Sequence, residues 1–179
     1  GTICEFSSQI GGLTFDGFAP WELSVYFLDQ WRLAPSVMAE LGGRATSFVA
    51  SQGSFSAMDP RFALLVTLLE DLRFFSSFSA VNQFVHPYRH SGIFLFYPSI
   101  FLYPSTEEIK PSTSLQVSLG MEKSFREDQY RLAIESYYRM TQNLHEFVFD
   151  TTAARTLSDA LLVGEGSVYG AEVTVDKRL

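Results

Sequence analysis

The chain of 179 residues holds one cysteine, Cys4, so no disulfide can form within it and every disulfide-scaffold architecture is excluded. A lone thiol also favours a reducing intracellular or organellar compartment. Lysine is scarce, with Lys110, Lys123 and Lys177 the only three, and the formal charge is −7. That acidic balance opposes attachment to phosphate backbones, so general nucleic-acid binding is not expected. The longest apolar run, from Gly92 to Tyr103, is broken by Pro98. It falls short of the roughly 20 residues that a membrane-spanning helix needs, and no transmembrane segment is expected.

Charged residues of either sign reach 18%, below the roughly 25% usual in a soluble domain. Apolar side chains make up 46%, aromatics 15%, and phenylalanine alone occurs 17 times. This is enough to build one sizeable core, and the reading is a single domain over residues 1–179.

Punctuation by Pro, Gly and capping residues suggests mixed secondary structure. Gln9 to Phe15 and Thr46 to Ser51 suit strands, whereas Pro20, followed by Trp21, Val25, Leu28 and Arg32, suits a helix. A short helix from Pro35 would stop at Gly42-Gly43. Asp59-Pro60 opens the next predicted helix, with Phe62, Leu65, Leu69 and Leu72 as its stripe. His86-Pro87 marks a boundary. Gly92 to Tyr97 and Ser99 to Tyr103 are β-rich, Thr106 to Thr113 is a loop, and Ser114 to Leu119 alternates as a strand. Ser124-Phe125-Arg126-Glu127 fits a capping box. It introduces a long predicted helix to Phe147, with Ala133, Tyr137, Met140 and Leu144 on one face and Glu135 and Arg139 spaced as an i,i+4 pair. Leu161 to Val163, Gly164 to Gly170 and Ala171 to Asp176 read as strand, turn and strand. The expected fold is therefore α+β, an antiparallel or mixed sheet covered by two principal helices.

No motif completes a reaction centre. Gly164-Glu165-Gly166-Ser167-Val168-Tyr169-Gly170 has the composition of a phosphate loop, but its last glycine is one position late and an alternating strand pattern follows, so a hairpin connection is expected. His86 and His90 have the spacing of zinc ligands on one helix face. Pro87 between them breaks that face, and a third ligand would have to come from His145, Glu146 or a distant carboxylate. Catalytic, cofactor-binding and metal-binding residues are accordingly set at none, and no cofactor is expected. Phe15-Asp16-Gly17-Phe18-Ala19-Pro20-Trp21-Glu22-Leu23 resembles the first strand-to-helix corner of the class I glutamine-amidotransferase-like superfamily. That family's nucleophilic cysteine follows a later strand, where this sequence has none, so neither its residues nor its activity carry over.

Composition is more informative. Protein interfaces are poor in Lys and rich in aromatics and Arg, as this chain is. The leading expectation is a soluble, non-catalytic subunit or accessory interaction module that self-associates or binds a protein partner. Phe74, Phe75, Phe78, Phe94, Phe96, Tyr97, Phe101 and Tyr103 form its expected interface. The alternative is a small-molecule-binding domain or small enzyme with an aromatic-lined pocket, nominating His86, His90 and His145.

Overall fold

A period of two, rather than 3.6, organises the chain. In the stretch Ser112–Phe125 the residues Leu115, Val117, Leu119 and Met121 share one face, while Ser114, Gln116, Ser118 and Glu122 share the other. The structure, a computed structural model, describes residues 8–10, 13–15, 20–51, 53–89, 100–126, 129–147 and 161–177. These form strands joined by turns and loops, with no helix. In chain order the strands are β1 (Ser8–Ile10), β2 (Leu13–Phe15), β3 (Trp21–Ala34), β4 (Val37–Ala50), β5 (Gly53–Leu69), β6 (Leu72–Gln83), β7 (Val85–Arg89), β8 (Ile100–Pro104), β9 (Ser112–Phe125), β10 (Tyr130–Phe147) and β11 (Leu161–Lys177).

Seven long strands make one antiparallel up-and-down sheet in the order β11-β10-β9-β6-β5-β4-β3; β1-β2 and β7-β8 are separate hairpins. The expected α+β fold is thus corrected to all-β. The predicted Asp59 helix is most of β5, the Glu70-Asp71 turn and the start of β6, and the predicted Ser124 helix is the end of β9 followed by β10. The predicted helices from Pro20 and Pro35 are β3 and β4, and Gly164 to Gly170 runs straight through β11 rather than turning.

Local chemistry explains how these sequences fit strands. Pro60 pairs with Gly43 of β4, but the β5–β6 ladder begins only at Arg61 opposite Ser79, so its missing donor leaves no gap there. Where β5 and β6 part, the Asp59 carboxylate accepts from Asn82 N–H at 3.0 Å and from Asn82 Nδ2 at 2.7 Å. Ser124 does not cap a helix; its N–H donates to the Asp71 carbonyl at 2.8 Å. Arg126 takes a positive φ of 51° in the β9–β10 turn. Two glycines seat aromatic rings from the neighbouring strand. A Cβ on Gly120 would lie 2.2 Å from the Phe75 ring, and one on Gly170 would lie 2.7 Å from the Tyr137 hydroxyl. Each ring therefore lies over its directly opposite partner.

The two ends of the sheet differ. At one, β3–β4 and β5–β6 turn through Pro35-Ser36 and Glu70-Asp71, and β9–β10 through residues 126–129. At the other, two residues join β4 to β5, the β6–β9 connection carries the β7–β8 hairpin, and 13 residues separate β10 from β11.

Candidate functional site

Register assigns every residue of the sheet to one of two faces. The apolar face carries Trp21, Val25, Phe27 and Trp31 on β3, Met58 on β5, Phe74 and Phe78 on β6, and Val173 and Val175 on β11. Among the described residues no second layer covers it: Trp21 is 80% exposed and Val175 69%. A water-facing sheet would hide such a face. Trp21 and Trp31 lie ten residues apart on that face, about 33 Å along the strand, or about 25 Å across a bilayer at the strand tilt of a barrel. That matches an apolar band with an aromatic ring at each margin, and every long strand exceeds the 9–11 residues that such a crossing takes.

The opposite face is polar, and neighbouring strands are tied across it. Arg44 of β4 meets Glu22 of β3, and Arg61 of β5 meets Glu40 of β4 at 3.2 Å. Arg73 of β6 and Arg131 of β10 meet Glu122 of β9 between them at 3.7 and 3.4 Å, and Arg131 Nε reaches Asp176 of β11 at 2.9 Å. Ser77 and Ser118 share a hydrogen bond of 2.8 Å, and Arg139 Nε donates to Gln116 at 2.9 Å. Partly exposed pairs of this kind stabilise by only about 0.2–1 kcal/mol each. Their larger effect is to match most of the cations on this wall with acids of its own.

The deepest burial gathers at the long-loop end. Phe48 of β4 has 0% exposure and stacks on Phe84, with centroids 5.3 Å apart and planes at 9°. Ser105 N–H closes the β7–β8 hairpin on the Phe84 carbonyl at 2.7 Å, and Thr106 N–H donates to the Ile109 carbonyl at 2.9 Å. Beside this turn, His86 Nε2 lies 3.0 Å from the buried Ser105 hydroxyl, and its ring meets that of His145 edge to face at 4.6 Å. A bulge between Thr141 and Leu144, with Asn143 at a φ of 53°, shifts the alternation of β10 and re-aims His145 toward this cluster. Both ring nitrogens of His145 are buried without a partner. Burial, reinforced by the neighbouring His145, pushes His86 down to about 4, and burial pushes Tyr103 up to about 12. All three rings are in contact, His86 with Tyr103 at 5.2 Å and Tyr103 with His145 at 6.3 Å. The cluster clasps the loop to the sheet with neutral groups.

The residues nominated from sequence separate. Phe74 and Phe78 stand on the apolar face, and Phe75 on the polar face over Gly120. Tyr103 is buried in the clasp, and Phe101 is in β8. Phe94, Phe96, Tyr97 and His90 lie outside the described residues. His86 and His145 come together despite the 59 positions between them. Among the described residues, no group of three or more His, Cys, Asp or Glu side chains could hold a metal ion. The polar wall was missed from sequence; its signal is a partial alternation of charged and hydroxyl residues with apolar ones, clearest in β9.

No curated protein matches the chain by sequence. Solved structures do match its fold. The pyoverdine outer membrane receptor FpvA of Pseudomonas aeruginosa superposes with a TM-score of 0.63 at 12% identity, over 92% of this chain and 23% of that one. The alcaligin outer membrane receptor FauA of Bordetella pertussis gives 0.59 at 12%, over 90% and 28%. The ferric-catecholate import receptor Fiu of E. coli gives 0.60 at 13%, over 90% and 26%. The chain thus spans about a quarter of the length of these receptors.

These matches overturn four expectations. The soluble accessory subunit and the small-enzyme alternative are contradicted, since the chain has the fold of receptor barrels and a family model of such barrels matches nearly all of it. The expectation of a reducing intracellular compartment is contradicted, since the solved receptors that share this fold are outer-membrane proteins. The expectation of no transmembrane segment considered helices alone. No described helix is long and apolar enough to cross a bilayer, but strands cross one when their backbone groups pair with each other. The open apolar face opposed to an ion-paired one has the form such a wall requires, and with a family model matching residues 5–178 the chain belongs to the TonB dependent receptor-like, beta-barrel family.

Proposed function

We propose that the chain forms adjoining strands in the wall of an outer-membrane receptor that takes up ferric chelates of the siderophore class. The observation that carries this reading is the opposition of the two faces, within a fold shared with receptors for pyoverdine, alcaligin and ferric catecholates. The apolar face meets lipid. The polar face lines the lumen, where its arginines are held by its own carboxylates and its hydroxyls present hydrogen-bonding groups to what passes or docks. The end with three short turns then faces the periplasm, and the end that bears the two long connections faces outward, with the brief β4–β5 link beside them. There the His86–His145 clasp holds the β6–β9 loop at the mouth. The three receptors are named for three different ligands, so the class proposed is the ferric complex rather than one chelator.

The test is uptake of radiolabelled ferric siderophores by iron-starved cells with and without the intact protein, using hydroxamate and catecholate chelators in parallel. Loss of uptake of one class on deletion, restored by the gene in trans, is the expected result. Unchanged uptake of every ferric chelate, with the protein present in the outer membrane, would refute the substrate class.

A further inference from the structure

All three cation–π contacts among the described residues fall at one corner, the lipid-facing side of β9, β10 and β11 at the tight-turn end. Lys123 Nζ stands 5.4 Å from the Phe125 ring centroid, and Arg126 Cζ and Lys177 Nζ stand 5.7 and 5.8 Å from that of Tyr130. Register sets Phe125 opposite Tyr130 and Tyr130 opposite Lys177, with Lys123, Leu132 and Val175 in the next row on the same face. Two of the chain's three lysines are therefore here. Cations of the polar face behave differently, since Arg44, Arg61, Arg73 and Arg131 each meet a carboxylate. At the corner Lys123 has Asp71 at 3.8 Å, and no described carboxylate pairs with Arg126 or Lys177.

Aromatic rings at the foot of an apolar face mark the depth of the headgroups, and long basic side chains there extend their charge toward water. With one described carboxylate, Asp71, among three cations, this corner carries an excess of positive charge that an anion would balance. A free ion would find an open surface with nothing behind it, whereas a lipid brings chains that can lie along Leu132, Val175, Ile134 and Val173. We propose that Lys123, Arg126 and Lys177 bind the phosphate of an anionic phospholipid in the leaflet at the tight-turn end. The proposal rests on the membrane reading above.

The intact receptor is reconstituted in phosphatidylcholine vesicles doped with dansyl-phosphatidylglycerol or, separately, dansyl-phosphatidylcholine, and energy transfer from its tryptophans reports the lipid at its surface. The expected result is enrichment of the anionic probe, falling about fivefold for each cation removed in Lys123→Gln, Arg126→Gln and Lys177→Gln. The charge-retaining pair Lys123→Arg with Lys177→Arg keeps the enrichment, as does Arg139→Gln on the polar face. Slower migration after boiling, in gel electrophoresis, verifies that each variant is folded. Equal enrichment of both probes by an inserted protein overturns the headgroup site alone. Displacement of the probe by millimolar inorganic phosphate also overturns it, because the site would then take a free ion. Failure of the intact protein to insert overturns the membrane reading and this proposal together.

Discussion

Ile134 and Ala133 are neighbours in sequence and occupy opposite faces of β10, which makes them a stringent test of the face assignment. Ile134 is 42% exposed and stands in the apolar row with Met121 and Val173. It lies four residues from Tyr130, about 10 Å into the bilayer once strand tilt is included. An arginine there is expected to cost about 2–4 kcal/mol, reduced toward the interface by extension of its charge to the headgroups. Ala133 lies directly opposite Glu122 on the polar face, where Arg73 and Arg131 already share that carboxylate; an arginine there keeps its charge in water and is expected to change stability by less than about 1 kcal/mol. The measurement is urea-dependent folding of the intact protein into lipid vesicles, followed by tryptophan fluorescence. Ile134→Arg should shift the midpoint to lower urea, and Ala133→Arg should barely move it. Equal losses, or a greater loss from Ala133→Arg, would refute the assignment of lipid and lumen faces.

Three further outcomes are expected. Gly120→Val places atoms where the Phe75 ring lies, 2.2 Å from a Cβ, and should destabilise by about 1–3 kcal/mol in the same titration, relieved when combined with Phe75→Ala. Phe48→Ala removes a fully buried ring from the stack with Phe84; a local loss of about 3–5 kcal/mol should appear as faster proteolysis of the β6–β9 loop with little change in the strands. The clasp should also weaken in acid. His86 is held near 4, below its ordinary 6.5, so the opened loop takes up the proton first; the clasp's stability is fully present above about 6.5 and is lost as pH falls toward 4. Loop proteolysis should rise over that window in the wild type and depend less on pH in His86→Phe, and a flat wild-type profile would count against the clasp.

How much of this was legible in the sequence varies by element, and the reason is physical. Thr46 to Ser51, Ser114 to Leu119 and Ala171 to Asp176 alternate cleanly and were read as strands, as they are within β4, β9 and β11. β5 was read as a helix because apolar residues occur on both of its faces, Phe62 and Leu64 on one and Leu65 on the other, and this mixture resembles a helical stripe. In β10, Glu135 and Arg139 satisfy i,i+4 spacing, but a separation of four also returns to the same side of a strand, so the pair could not discriminate. The scarcity of charge and abundance of aromatics were noticed and assigned to a protein partner. Lipid is the other solvent that such a surface can meet, and a two-residue period announces it far more weakly than a run of about 20 apolar residues does. The His86–His145 contact was not legible, since it depends on the β7–β8 hairpin and on a bulge near Asn143 that sequence patterning does not register.

The edges of the sheet carry the argument one step further. Within the seven-stranded sheet, β3 and β11 each have a neighbour on one side only. Tyr26 on the first is 81% exposed and Tyr169 on the second 82%. In hydrocarbon each unpaired backbone group costs several kcal/mol, so edges of 14 and 17 residues could not persist open in a bilayer. Strands outside this sheet must therefore complete both ladders. The receptors that share its fold are roughly three to four times as long, which gives room for a closed wall in which these seven strands form one arc. In that setting the inter-strand ion pairs become intelligible as a seam rather than a store of stability. Each is weak alone, but together they fix which strand lies beside which on the face where water, unlike lipid, would tolerate a slip.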